Sequence, residues 1–240
     1  MKTPLCMLGF VLLCTAGGSL AQLDQATKAL GLGSQSGLSE SKVASGLKQT
    51  LQIGAESAVK LTGRTDGYFG NREIKIQLPK NLQPLEKGLG AIGYQSKIDA
   101  FVLSMNRAAE AAAPSAKKIF GDAILAMTFD DAKKILSGGD TAATDYFKRK
   151  TTDQLTVAFL PVIEKTMREN KVTQQYEALT GELKSVPFMK GEDLDINKYV
   201  VTKALDGLFY MLGEEERKIR NNPAAQTTEL LKEVFGKSHP

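Results

Sequence analysis

The chain has 240 residues, 42% of them apolar and 24% charged, with a formal net charge of +4. This composition excludes wholesale disorder and supports one or two packed domains. One histidine and two cysteines leave almost no material for a histidine-based triad, a Cys-His pair or a Cys/His zinc cluster.

Residues 1–21, MKTPLCMLGFVLLCTAGGSLA, read as a signal peptide. Lys2 supplies the positive start and Leu5 to Leu13 the apolar stretch. Ser19 and Ala21 are the small residues a signal peptidase selects. Cleavage is expected after Ala21, with export to the periplasm. The apolar run is shorter than the roughly 18 residues a spanning helix needs. A lipoprotein anchored at Cys14 is disfavoured because Leu13 stands where a small residue is required. Cleavage would remove both Cys6 and Cys14, so the mature chain would carry no thiol and no disulfide.

Residues 22–240 are expected to form a single all-α, bundle-like domain of about nine or ten helices. Gln22 to Leu32 is a short helical stretch, followed by a loop at Gly31, Gly33 and Gly37. Ser39 is the N-cap of a helix whose apolar positions are Val43, Leu47, Leu51, Ala55, Ala58 and Leu61, and Gly63 ends it. Thr62 to Pro79 is the least helical part. Ile74, Ile76 and Leu78 alternate with Lys75 and Gln77, which predicts a short extended segment near residues 72–79. Leu82 to Ile92 is a weak, glycine-containing helix.

The strongest stripe is Ile98, Phe101, Val102, Met105, Ala108, Ala109 and Ala112. Pro114 interrupts it and opens a helix containing Ile119, Ala123, Ile124 and Met127. Thr128 and Asp131 form a capping box in which aspartate replaces the usual glutamate. Asp140 is expected to cap a short helix with Ala143, Tyr146 and Phe147. Thr151 or Thr152 is expected to cap another, kinked at Pro161. Thr173 to Leu183 is a further helix. Ile196, Val200, Ala204, Leu208, Met211 and Leu212 mark a long one that Asn221-Asn222-Pro223 breaks. Thr227 or Thr228 starts the last, with Leu230, Leu231, Val234 and Phe235.

Few motifs bear chemistry. His239 is penultimate, where chain ends fray. Asp193, Asp195 and Asn197 have the alternation of a calcium loop. Its sixth and twelfth positions are Lys198 and Ala204, so the bland reading is a helix cap. The glycine-rich stretch TGRTDGYFG lacks the ending of a phosphate-binding loop. Lys148-Arg149-Lys150 is too short a cluster to indicate nucleic acid.

Carboxylates remain. Leu208, Leu212 and Glu216 stack one turn apart, so Glu216 lies close to the apolar stripe, with Arg220 four residues on. A half-buried glutamate must be paired or protonated. Asn106 and Arg107 pair with Glu110 at similar spacings. The candidate polar cluster is therefore Asn106, Arg107, Glu110, Glu215, Glu216 and Arg220, against the bland reading of helix salt bridges.

Three segments carry a resemblance: MNRAAEAAAPSAKKIF (105–120), DDAKKILSGGDTAATDYFKRKT (130–151) and YVVTKALDGLFYMLGEEERKIRNNPAAQTTELLKEVFG (199–236). They resemble the bacterial family catalogued as domain of unknown function 4197, over nearly all of the mature chain. The resemblance implies exported, helix-rich proteins of Gram-negative bacteria and implies no activity, cofactor or catalytic residue. The leading reading is a non-catalytic interaction or small-ligand-binding module, without a cofactor. Its partners would be a small apolar ligand, an envelope protein or anionic lipid. The alternatives are a carboxylate-dependent hydrolase or other enzyme, and an envelope structural or lipid-contact protein.

Overall fold

The computed structural model describes residues 40–80, 82–83, 95–169 and 195–221. The expected signal peptide and the helices expected over 22–32, 173–183 and from 227 or 228 onward lie outside these residues, as does all but the start of the one expected over 82–92. Asp193, of the calcium-like alternation, also lies outside them. The described residues are all-α. They form α1 (Glu40–Gly63), α2 (Gln95–Ala112), a 3-10 turn (Ala113–Ser115), α3 (Ala116–Leu125), α4 (Phe129–Leu136), α5 (Ala142–Glu169) and α6 (Ile196–Asn221). All belong to the compact unit Glu40–Pro240. No described helix is long and apolar enough to cross a membrane.

Helix α6 packs against both α1 and α5, and α2 packs on α5. The end of α6 meets the start of α5, so the two run antiparallel. The apolar stripes read from the sequence face this centre. Leu47 and Ala58 of α1, Phe101 and Met105 of α2, Phe147 and Phe159 of α5, and Val200 and Leu208 of α6 are fully buried. Phe120 of α3 lies edge-on to Phe147 at 5.0 Å and tilted to Phe209 at 6.3 Å, which locks α3 against α5 and α6. Pro114 opens the turn into α3 and closes over Gly63, whose missing side chain lets the end of α1 approach it. Thr128 and Asp131 form the reciprocal capping box at the start of α4. Hydrogen bonds from Thr128 hold the Asp131 carboxyl below its ordinary pKa.

Two expected helices are one. Helix α5 runs without a break from Ala142 to Glu169. Thr151 and Thr152 are not caps: their hydroxyls donate back to the carbonyls of Phe147 and Lys148, each at 2.7 Å. The helix continues through Pro161, which removes one N–H opposite the carbonyl of Val157. Both residues are exposed, so water can take that carbonyl. Asp140 makes no cap for α5 either. That role falls to a residue 76 positions away, Glu216.

Residues 64–80 cross the helices without a strand ladder. Ile74, Ile76 and Leu78 point inward while Gln77 is exposed, so the expected alternation holds in an irregular segment. Asp66 sits in the left-handed region (φ 61°), which aspartate tolerates better than most residues. Gly67 has no alternative: a Cβ there would lie 2.5 Å from the carbonyl oxygens of Leu61 and Thr62.

Candidate functional site

Glu216 is buried on α6, and its carboxylate takes the first-turn donors of α5. Oε1 accepts from the Ala143 N–H at 2.9 Å. Oε2 accepts from the Thr144 N–H and hydroxyl, both at 2.8 Å. A helix start exposes such N–H groups and carries partial positive charge, so a carboxylate there replaces a local cap. Arg220 donates to Glu216 Oε1 at 3.0 Å through Nε and to the carbonyl of Ile135 at 2.9 Å through its other end. One pair thus ties α6 to α5 and α4.

Glu110 repeats the arrangement on α2. Oε1 accepts from the N–H groups of Tyr68 and Phe69, both at 3.1 Å, and Oε2 accepts from Arg107 at 2.6 Å. Arg107 also reaches Asp66 at 2.8 Å. The hydrogen bond to Glu110, followed by that to Asp66, strengthens the protonation of the guanidinium. The expected Asn106–Glu110 contact does not form. Asn106 is fully buried and spends its amide on Ile76. Oδ1 accepts from the Ile76 N–H at 2.8 Å, and Nδ2 donates to the Ile76 carbonyl at 2.9 Å and to Val102 at 2.8 Å. The side chain does for Ile76 what a neighbouring strand would do.

Glu215 accepts from the Ser57 hydroxyl of α1 at 2.7 Å and pairs with Lys218 at 2.6 Å. The six predicted residues therefore divide between two places. Asn106, Arg107 and Glu110 hold residues 66–76, while Glu215, Glu216 and Arg220 hold α6 to its neighbours. Both buried carboxylates accept from two backbone N–H groups and from an arginine on their own helix. The cavity beside Glu216 and Arg220 is about 20 Å3, room for one water.

Asp195 is the cap of α6: Oδ1 accepts from the N–H groups of Asn197 and Lys198, both at 3.1 Å. The Lys198 backbone bond is the main reason its carboxyl lies below the ordinary range. Asn197 Oδ1 is buried without a hydrogen bond, but one acceptor does not make a metal site. Among the described residues no three acidic, histidine or cysteine side chains gather to hold a cation.

A different place has the shape of a site. A groove of about 410 Å3 runs along the seam of α5 and α6. Leu160, Val201, Leu205 and Phe209 form its floor, and Thr152, Thr156, Lys198 and Thr202 its walls. It meets a second hollow of about 310 Å3, walled by Thr141, Thr144, Asp145, Tyr210 and Arg217. Lys148, Asp206 and Phe209 belong to both. Sequence reasoning missed this seam because the apolar stripe it followed on α6, through Ile196, Val200, Ala204 and Leu208, left out Val201 and Leu205. The available signal was the row of threonines and Lys148 at three- and four-residue spacing on α5, a polar stripe beside an apolar one.

The family model described as a protein of unknown function (DUF4197) matches residues 37–236. No curated protein matches, and no solved structure does.

Proposed function

The chain belongs to the DUF4197 family, and from that premise we propose that it is a non-catalytic binding module of the bacterial periplasm that holds a small, largely apolar ligand between α5 and α6. The observation that carries this reading is the seam groove. Its volume falls in the range of small-molecule pockets, and its floor is aliphatic and aromatic with polar groups along the walls. The fate of the carboxylates supports the non-catalytic part. Glu110 and Glu216 accept three hydrogen bonds or more each, from groups that build the fold, and neither lines this groove. The leader-like residues 1–21 support export.

The test is equilibrium binding of N-phenyl-1-naphthylamine, a neutral apolar fluorophore, to the purified protein. The wild type should enhance its fluorescence saturably. Thr202→Trp and Thr156→Trp place an indole in the groove from opposite walls, and each should abolish the signal. Equal binding by wild type and both variants would overturn the assignment. Amino-terminal sequencing of the exported protein should begin at Gln22; retention of Met1 would overturn the location.

A further inference from the structure

The ligand class can be read from how charge is distributed along the seam, an inference that rests on the binding reading above. We propose that the seam takes a single-chain amphiphile with a zwitterionic head, its chain over Val201, Leu205 and Leu160 and its head over Asp145 and Lys148. The two hollows differ in kind. The one toward Lys198 has an apolar floor, whereas the one toward Arg217 is walled by hydroxyls and charges of both signs. Phe209 stands at their junction, and Lys148 Nζ lies 5.8 Å from its ring.

The charges sort further. Lys198 is paired with Asp195, Asp206 with Lys203, and Arg217 with Glu214. Among the charged residues lining the two hollows, Asp145 and Lys148 take part in no ion pair. They lie one turn apart on the same edge of α5, both exposed. One unpaired carboxylate and one unpaired ammonium, set side by side at the end of an apolar trough, complement a head with both signs. A purely anionic head would meet Asp145, and a purely cationic head would meet Lys148. Charge complementarity of this kind selects among ligands more than it adds raw affinity.

The experiment titrates the full chain with dodecylphosphocholine, dodecanoate and dodecyltrimethylammonium, each below its micelle concentration, and with the neutral naphthylamine as control. The zwitterion should bind tightest of the three. Exposed charge pairs are worth up to about 1 kcal/mol, or about fivefold. Lys148→Gln should therefore weaken dodecylphosphocholine and dodecanoate by up to about fivefold. Asp145→Asn should weaken dodecylphosphocholine by a similar factor while leaving dodecanoate unchanged or tighter. Neutral-probe binding should survive both variants. If the neutral probe binds but dodecanoate matches the zwitterion, or Asp145→Asn treats them alike, the head assignment fails and the groove stands. If the neutral probe does not bind the wild type, both fail.

Discussion

Removing the Glu216 side chain is the sharpest perturbation of this fold. In Glu216→Ala, the N–H groups of Ala143 and Thr144 lose their acceptor inside a buried environment. Arg220 loses its carboxylate partner and keeps its bond to the Ile135 carbonyl. Each stranded buried donor costs about 1–3 kcal/mol, and breaking a buried ion pair by deleting one partner costs about 3–5 kcal/mol. These contributions share atoms and do not add, so the loss should be about 4 kcal/mol. For a chain of this size that is a fall in Tm of about 8–16 °C. Arg220→Ala should cost less, about 1–2 kcal/mol, because the carboxylate keeps its three donors from α5. The double variant should fall short of the sum by about 1–3 kcal/mol. Urea denaturation at constant m gives all three values, and amide hydrogen exchange at Ala143 and Thr144 localises them. A loss below about 1 kcal/mol for Glu216→Ala, or simple additivity in the double variant, would refute the cap.

Asn106→Ala strands both backbone groups of Ile76 and should cost about 2–4 kcal/mol by urea denaturation, with faster exchange at the Ile76 amide. Gly207→Ala sets a methyl 2.6 Å from Tyr68 Cε1 and 3.1 Å from Ile74 Cβ, so overpacking should cost about 1–3 kcal/mol. A neutral Gly207→Ala would show that this contact yields freely. Asp131 has a folded pKa below its ordinary value, so its contribution is present above that value and lost as pH falls through the folded pKa. Asp131→Asn should therefore be less stable than wild type at pH 7, with the gap closing below about pH 4. Tyr68 works in the opposite sense: burial, and then the Glu110 charge, raise its phenol pKa, so its contribution is present at neutral pH and lost as pH rises beyond about 10. Thermal unfolding should show wild type losing more stability than Tyr68→Phe over that alkaline range.

The helices were legible wherever a stripe of apolar residues repeated, because burial of that stripe is what fixes a helix on its neighbours. The box at Thr128 and the break at Pro114 were legible for the same local reason: the interacting atoms are three residues apart or fewer. What escaped was non-local. Thr151 and Thr152 looked like caps because their own neighbourhood permits it, and α5 runs through them because a carboxylate far along the chain caps it at Ala143. Asn106 looked like a partner for Glu110 because four-residue spacing allows the contact, but Ile76 offers a donor and an acceptor together. The burial of Glu216 beside Arg220 was readable from the α6 stripe, whereas its target was not. A single stripe tells which side chain faces inward and says nothing of the backbone it will meet.

The stretch Glu214-Glu215-Glu216 shows how one residue type takes three roles. Successive helical positions turn by about 100°, and α6 lies between α1 and α5. Glu214 therefore pairs with Arg217 on the outside, Glu215 reaches Ser57 of α1, and Glu216 reaches the start of α5. Thr144 links this last contact to the seam, since its hydroxyl donates to Glu216 while its side chain walls the polar hollow. The staple therefore sets where α5 begins relative to α6, and with it the spacing of Asp145 and Lys148 from Phe209. A ligand bound in the seam would draw its affinity from the floor and its orientation from the edge of α5. Weakening the Glu216 cap should thus disturb discrimination between head groups before it disturbs binding of a neutral apolar probe. Hydrogen exchange at Ala143 and Thr144 separates a carboxylate that positions a site from one that touches the ligand: it speeds up when the cap is weakened, whereas loss of a carboxylate that only touched the ligand would leave it unchanged.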